Sequence, residues 1–560
     1  MRLRLGVGGL LVLLALFALL LLAPLNPGAV RVLGVSLSWW YGGVVAPLLA
    51  VLITVSCLKP PGARPVTDPM PATSSVSVWI TPALLFSVPA ELLARGSEGL
   101  WIALLVVVAP LLGLLLVTPP RDAEPPHPAS TFSLALMGFV LLWANLLLVG
   151  DVARSLGLSR PTGILVVAGS MFVVTAWAPG RRRGPALALP ALLALLALLV
   201  PLGVVVERAD RLPLAAWNHA ASLPAFRVPS ESPWVNEGRP VAPRPGIDTL
   251  LFEEEHRVTS VAGGPLRILV SDRGRVQIQE WTLAAGQSVT VRPGDRLVVE
   301  PGRSLRFEAN KRIPGAPASG IRWADSPRPL LSTAFLSVLG SGLTILGGAT
   351  ALLASERSLS ISRAGAAIEG AGYVLALAWA LGWATYTALV APELFLGEIT
   401  PEKLFELPAL ALRGSPWGPS LDALVIAGAF FALLTSASAL RSRLALGGLE
   451  ARDLGLWGGM LGLASLGSFW PLDPWRILLM AFGLGASTLA PRAWVGIPRE
   501  RPQAISMAVG TGLFVFLALA LLREILTARG VWAEMFLSYP ALAASPIAAF
   551  ILWRARRLEG

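Results

Sequence analysis

Apolar runs about 20 residues long recur from one end of the chain to the other, and that is the length a helix needs to cross the hydrocarbon of a bilayer. GLWIALLVVVAPLLGLLLV over 99–117 and TFSLALMGFVLLWANLLLVG over 131–150 are two of them. A chain built this way has too little polar residue to coat a water-facing surface. It is 54% hydrophobic and 14% charged, with a mean hydropathy of +0.68, where a soluble domain carries about a quarter charged residues. Backbone groups in lipid must be satisfied within the segment, which selects helices for runs of this length. The expected fold is therefore a polytopic α-helical membrane protein.

The runs predict about fourteen spans. Seven fall near 5–25, 36–57, 76–95, 99–118, 131–150, 162–179 and 185–206, and seven near 329–354, 366–392, 420–440, 453–470, 474–491, 504–522 and 538–553. The weakest are 76–95, interrupted by Pro82 and Pro89, and the close pair 453–470 and 474–491. With the N-terminus in the cytoplasm, the inner loops carry roughly twice the Lys and Arg of the short outer loops, as the positive-inside rule requires. Both termini are then cytoplasmic and residues 207–328 lie outside. Met1-Arg-Leu-Arg before the first run resembles the start of a signal peptide. The run exceeds the usual length of that segment and no small-x-small site follows, so an uncleaved helix is expected. The chain divides into an N-terminal membrane domain 1–206, an extracytoplasmic domain 207–328 and a C-terminal membrane domain 329–560. Equal numbers of spans in the two halves suggest duplication, yet no repeated motif joins them.

The polar segment reads as three parts. Pro224, Pro229, Pro233, Pro240, Pro243 and Pro245 make a semi-rigid strap within 207–249. Short runs at 266–270, 275–282, 287–291, 296–300 and 304–308 are rich in β-branched and apolar residues and partly alternate. Turn signals separate them, including Pro293-Gly294, the type II pattern. A small antiparallel sandwich or barrel is expected at about 250–310, with a return linker over 311–328.

Composition also excludes. Cys57 is the lone cysteine, so a disulfide within the chain and thiolate-built zinc or iron–sulfur sites are ruled out. His127, His219 and His256 all lie outside the apolar runs, so paired histidines cannot hold a haem between spans. No phosphate loop, HExxH, GxSxG or CxxCH motif occurs. No catalytic, cofactor-binding or metal-binding residue is assigned, and no cofactor is expected. The net charge of +11 belongs to topology-setting loops rather than to nucleic acid. Lysine occurs only at 59, 311 and 403, and the remaining basic residues are arginine. That bias points to a GC-rich bacterial genome, and so to a bacterial cytoplasmic membrane.

Ionisable groups inside membranes are costly and mark function, yet no span carries one at its centre. Five polar residues in or near spans are the candidates: Glu91, Arg95, Asn145, Asp151 and Glu369. Glu91 and Arg95, one helical turn apart, read as an interfacial ion pair or as a polar gate beside Pro82 and Pro89. Asn145 reads as an interhelical hydrogen bond. Glu369, among Gly365, Gly370 and Gly372, reads as a snorkelling acid or as a cation site where glycines admit another helix. Tryptophans at 39, 40, 101, 177, 470, 475, 494 and 553 suggest an interfacial belt, and Trp379 with Trp383 packing within a span. The run Glu253–His256 suggests a solvated edge rather than a cation site, since neighbours on a strand face opposite ways.

Three functions fit. The first is a non-enzymatic scaffold or accessory subunit of an envelope complex, its β domain at 250–310 docking a protein partner. The second is a transporter or lipid-handling protein with a path between the halves. The third is an enzyme acting on a lipid-linked substrate, for which Glu91, Asp151, Glu369 or Glu398 would have to act. The bilayer is the one partner the composition itself demands.

Overall fold

A computed structural model describes residues 2–23, 26–58, 73–116, 127–177, 183–229, 234–236, 249–272, 275–298, 303–325, 333–354, 363–396, 399–444, 450–495, 502–525 and 531–557. The first apolar run forms helix α1 (Arg2–Leu22). A short hairpin, β1 (Arg31–Val32) and β2 (Val35–Ser36), leads into α2 (Leu37–Trp40), a π turn over Tyr41–Val45 and α3 (Ala46–Cys57). The π turn lies where Gly42 lets the ring of Phe17 close in; a Cβ there would meet it at 2.8 Å.

The run at 76–95 is broken before Pro82 as expected, whereas Pro89 lies inside a continuous helix. Helix α4 (Thr73–Trp79) stops, and α5 (Pro82–Arg95) starts afresh with Pro82 in its first turn. A proline fits there because that N–H has no helical partner in any case. The chain then reverses through Gly96 (φ +57) and a 3₁₀ turn over Gly96–Glu98 into α6 (Gly99–Leu116). Pro82–Leu116 is one continuous apolar stretch of 35 residues, but it is a hairpin and not a rod. Trp79 Nε1 donates to the Val106 carbonyl at 2.9 Å, whereas the same 27-residue separation along one helix would span about 40 Å.

Helices α7 (Pro128–Ser155), α8 (Arg160–Trp177), α9 (Arg183–Arg208) and α10 (Pro213–Ser222) complete the first part. Helix α10 lies in the segment read as extended. The strap's prolines begin only at Pro224, and PLAAWNHAAS ahead of them is alanine-rich with proline at its first position, a good helix start. After the β domain come α11 (Gly320–Asp325), α12 (Thr333–Ala354), α13 (Arg363–Val390), α14 (Leu407–Ala411), α15 (Trp417–Arg443), α16 (Ala451–Gly467), α17 (Pro474–Thr488), α18 (Ala490–Val495), α19 (Pro502–Ile525), α20 (Val531–Ser538) and α21 (Ala541–Arg557).

Among the described residues, eight helices have the length and hydropathy to cross a membrane, or nine if α20 and α21, bent by 75° at their break, make one span. The class is thus a mainly helical, apolar chain compatible with an integral membrane protein. The expected count of fourteen is finer than this. The hairpin α5–α6 counts as one stretch, and α16 with 17 residues and α17 with 15 are shorter than a full crossing.

Helices from the two parts pack on each other: α6 lies along α12, α7 along α17, α9 along α15 and α5 along α13. Their ends meet in two sets. In one, the start of α1 lies beside the end of α3, where a Cβ on Gly6 would meet Cys57 at 3.0 Å. Arg363, opening α13, donates to Leu58 O at 3.0 Å. Arg443, closing α15, donates to Leu352 O in the last turn of α12 at 2.7 Å, and Arg441 donates to Thr175 O in the last turn of α8. Cations at helix C-termini answer free carbonyls and the negative end of the dipole. In the other set, Tyr386 Oη near the end of α13 donates to Arg211 O just past α9 at 2.6 Å. Arg160, opening α8, reaches Ser468 O at the end of α16, and Arg476, opening α17, pairs with Glu524 at the end of α19.

The β region is an antiparallel sandwich. Strands β3 (Trp234–Asn236), β10 (Arg303–Phe307), β5 (His256–Ser260) and β8 (Ser288–Val291) form one sheet, in that order. Strands β4 (Thr249–Leu251), β9 (Arg296–Val298), β6 (Gly264–Asp272) and β7 (Arg275–Leu283) form the other. Burial alternates along β5, where His256, Val258 and Ser260 point inward. Phe252, Val258, Ile268, Val291, Leu297, Leu305 and Phe307 fill the core. At Arg292–Asp295 the expected type II turn closes with Asp295 N–H to Arg292 O at 3.1 Å, and Gly294 takes φ +89. Strands β3, β4 and β5 have no counterpart among the sequence expectations, because each is short and lies among prolines or acids.

Candidate functional site

The place where chemistry concentrates is the junction between the sandwich and the helices. Two chain segments leave the sandwich and pair with each other as a stalk. Val228 N–H donates to Lys311 O at 2.8 Å, Asn310 N–H to Val228 O at 2.9 Å and Ile313 N–H to Phe226 O at 2.9 Å. Below the stalk, α10 and α11 lie together. Gly320 N–H donates to Leu223 O at 2.8 Å, and a Cβ on Gly320 would collide with the Ala220 carbonyl. Only glycine admits that approach.

Helix α11 then plugs into the helical body. Trp323, 2% exposed, donates through Nε1 to Leu93 O near the end of α5 at 3.0 Å. Its own carbonyl sits where a Cβ on Gly96 would be. Its ring lies 4.9 Å from that of Trp217 on α10 and 6.0 Å from that of Trp39 on α2. Phe226 of the stalk bridges Trp323 and Phe395, at 6.2 and 4.8 Å between centroids. Beside this cluster Arg31 holds Asp325 at 2.8 Å with the carboxylate 4% exposed, and Trp39 Nε1 donates to Ala324 O at 3.3 Å. Trp39, Trp101 and Trp475 were expected in an interfacial belt but are buried, while Trp470, Trp494 and Trp553 are exposed. Trp39 sits inward because the α10–α11 cap covers it.

At the other end of the stalk, Glu253 pairs with Arg312, Glu254 Oε2 accepts from Arg312 N at 3.2 Å, and His256 Nε2 lies 2.7 Å from Arg312 O. The run read as a solvated edge is therefore a clasp on the return segment, and His256 is 1% exposed. Burial holds the Arg312 guanidinium below its ordinary value, assisted by the like charge of Arg322. Burial, seconded by Arg211, does the same to His219.

The sequence candidates fall among different neighbours. Glu91 and Arg95 pair at 2.5 Å at the end of α5. Glu98 and Tyr539 act on the same arginine, and Tyr539 shares a 2.7 Å hydrogen bond with Ser337. Asn145, 2% exposed, accepts from Ala83 N at 3.0 Å through Oδ1 and donates to Leu141 O at 2.8 Å. It satisfies, from α7, a donor left free where α5 begins, while Thr81 accepts from Leu84 N at 3.3 Å. Asp151 pairs with Arg160, both under 5% exposed, and Arg160 Nε also donates to Ser468 O at 2.8 Å. Glu369 is 1% exposed on α13, so it does not snorkel. Gly370 and Gly372 lie against Val51 of α3 and Val76 of α4, the close helix approach their spacing suggested. Trp379 and Trp383 are buried and stack at 4.8 Å.

Arg31, Arg160, Trp323 and Asp325 were not among the sequence candidates, because their partners lie nine or more residues away and on no shared helical face. No group of three or more His, Cys, Asp or Glu among the described residues is arranged to hold a metal ion. A small apolar cavity is lined by Leu84, Val88, Ala103, Val106, Leu377 and Ala380 among others. Its volume is about 10 Å³, room for one water at most. No protein-family model matches the chain, and no curated protein or solved structure is significantly similar to it.

Proposed function

We propose that this protein is a non-enzymatic scaffold or accessory subunit of an envelope membrane complex. In this reading it crosses a bacterial cytoplasmic membrane fourteen times with both termini inside, and its sandwich at about 250–310 docks a protein partner outside. The observation that carries the reading is the junction. A module serving as a loose appendage needs only a tether, whereas this one is held by a paired stalk, three packed tryptophans and a buried carboxylate–arginine pair. Rigid seating presents a binding surface at a set position. The division into 1–206, 207–328 and 329–560 and the fourteen crossings are supported by the helix-end contacts. Ends that alternate crossings would bring to one face touch each other, and no contact described above joins opposite faces. The arginine bias supports a bacterial origin, and the loop charges support the orientation.

Photo-crosslinking tests the reading. A crosslinking residue replacing exposed Trp281 or Leu251 on the sandwich is expected to capture one discrete membrane or envelope protein in intact cells. It should capture none from a still more exposed lipid-facing position such as Phe514. A lone monomer in mild detergent, with no crosslink from either sandwich site, overturns the proposal.

Transport along a path between the halves is favoured by one observation, the interruption of two apolar segments at residues 80–81 and 539–540. Broken helices line transporter sites. Here, though, Asn145 and Thr81 already occupy donors freed at the first break. Catalysis would need two acids on one cleft. Glu91 pairs with Arg95 and Asp151 with Arg160, and Glu398 lies outside the described residues.

A further inference from the structure

We propose that His256 is a proton-operated latch: protonation of its imidazole releases the stalk segment 310–313 from the base of the sandwich. The inference goes beyond the scaffold reading and does not depend on it, since it concerns how the sandwich is held whatever it binds.

The geometry is that of a histidine built to be neutral. His256 opens β5 at the sandwich base with its ring boxed by Phe252 at 5.1 Å and Phe307 at 6.4 Å, both edge-on. A carbonyl can only accept, so the Nε2 contact to Arg312 O at 2.7 Å requires N–H on Nε2. The other nitrogen, Nδ1, is buried and has no hydrogen-bond partner. A second proton would have to go there, placing a donor and a positive charge in a site that offers no acceptor. The buried charge is relieved only when the ring leaves the site, and the pair given up with it lies at the root of the stalk, since Arg312 opposes Arg227 and is flanked by the hydrogen bonds of Lys311 and Ile313.

The charged groups facing the ring come from each element around it. Glu254 precedes β5, Glu308 follows β10, and Lys311 lies on the return segment. The Arg312 guanidinium is engaged by Glu253. Burial is the largest influence and holds His256 below its ordinary 6.5; the Arg312 carbonyl and Glu254 pull upward, Lys311 downward and Glu308 upward, without reversing it. The sign follows. The closed form binds fewer protons than the open form, so closure is complete above the ordinary value and weakens as pH falls below it. The opening equilibrium changes by up to tenfold per pH unit in that window. Unperturbed glutamates titrate lower, near about 4.3.

Hydrogen exchange on the full-length protein in detergent tests the latch. Protection of the amides of Val228 and Ile313 is read between about pH 7.5 and 5, after correction for the intrinsic pH dependence of exchange. Opening should rise by up to tenfold per unit below about 6.5 in the wild type. It should stay flat in His256→Gln, whose amide can still donate to the carbonyl. Unchanged wild-type protection to pH 5 overturns the proposal. So does an equal rise in H256Q, which would assign the response to the neighbouring carboxylates. Should H256Q fail to fold, histidine-selective NMR of the wild type decides. The His256 signal, assigned as the one that survives in a variant with His127→Gln and His219→Gln, must titrate below the ordinary value, and an ordinary titration there overturns the latch.

Discussion

Asp151 and Arg160 form the most deeply buried ion pair described, and their energetics are lopsided. Two charges out of water recover their desolvation cost from each other and from groups such as the Ser468 and Trp470 carbonyls that Arg160 also holds. Asp151→Leu leaves a buried cation without this carboxylate and should cost about 3–5 kcal/mol, whereas the double replacement D151L/R160M should cost much less than the two singles summed. Thermal unfolding of the four proteins in one detergent measures that coupling, and strict additivity would refute it. Asn145→Ala is milder. It leaves the Ala83 N–H unanswered, but polar groups in lipid find substitutes, so a loss of about 1 kcal/mol is expected, with no change in oligomeric state. Glu91, Arg95, Asn145, Asp151 and Glu369 were all legible as polar exceptions in apolar runs. The Glu91–Arg95 pair was legible too, from its i, i+4 spacing; the partners of Asn145 and Asp151 were not, because Ala83 offers a backbone N–H, which carries no mark in a sequence, and Arg160 opens the next helix.

At the scale of elements, two glycines decide how the cap seats. Gly96 has φ +57, where side chains are strained, and its missing Cβ makes room for the Trp323 carbonyl. Gly320 makes the corresponding room for Ala220. Either Gly→Ala change should lift α11 from the helices while leaving the sandwich folded. Trypsin should then cut at Arg322 or nearby in the variants and not in the wild type, with the β core surviving as a fragment. Loss of the core itself would show instead that sandwich and cap fold as one unit. The type II turn and five of the strands were readable because a sandwich strand alternates and its turns use proline and glycine. Helix α10 escaped because the proline density downstream coloured the whole segment. The Glu253–His256 run misled because composition cannot say that a return segment fifty residues later lies over it.

For the whole molecule, direction of threading is the claim that orders the rest. A cysteine replacing Arg182, in a chain whose native Cys57 is changed to Ser, should react with an impermeant maleimide only after the membrane is opened. A reporter within 250–310 should behave as external. The reverse pattern would invert every loop assignment. Apolar run length by itself marks this chain as compatible with a membrane, since lipid demands that apolar runs be helical, and arginine placement is the ground for the proposed threading. Alternation likewise determined that the polar insert is β. Which helices touch was settled by tertiary structure alone. Inside a bilayer a leucine gains little by facing a helix rather than a lipid tail. Leu104, fully buried, and Phe514, 72% exposed, therefore read alike in the chain. Close packing around glycines, carbonyls met by distant arginines and a tryptophan cap depend on shape and on backbone atoms, and those exist only once the chain has folded.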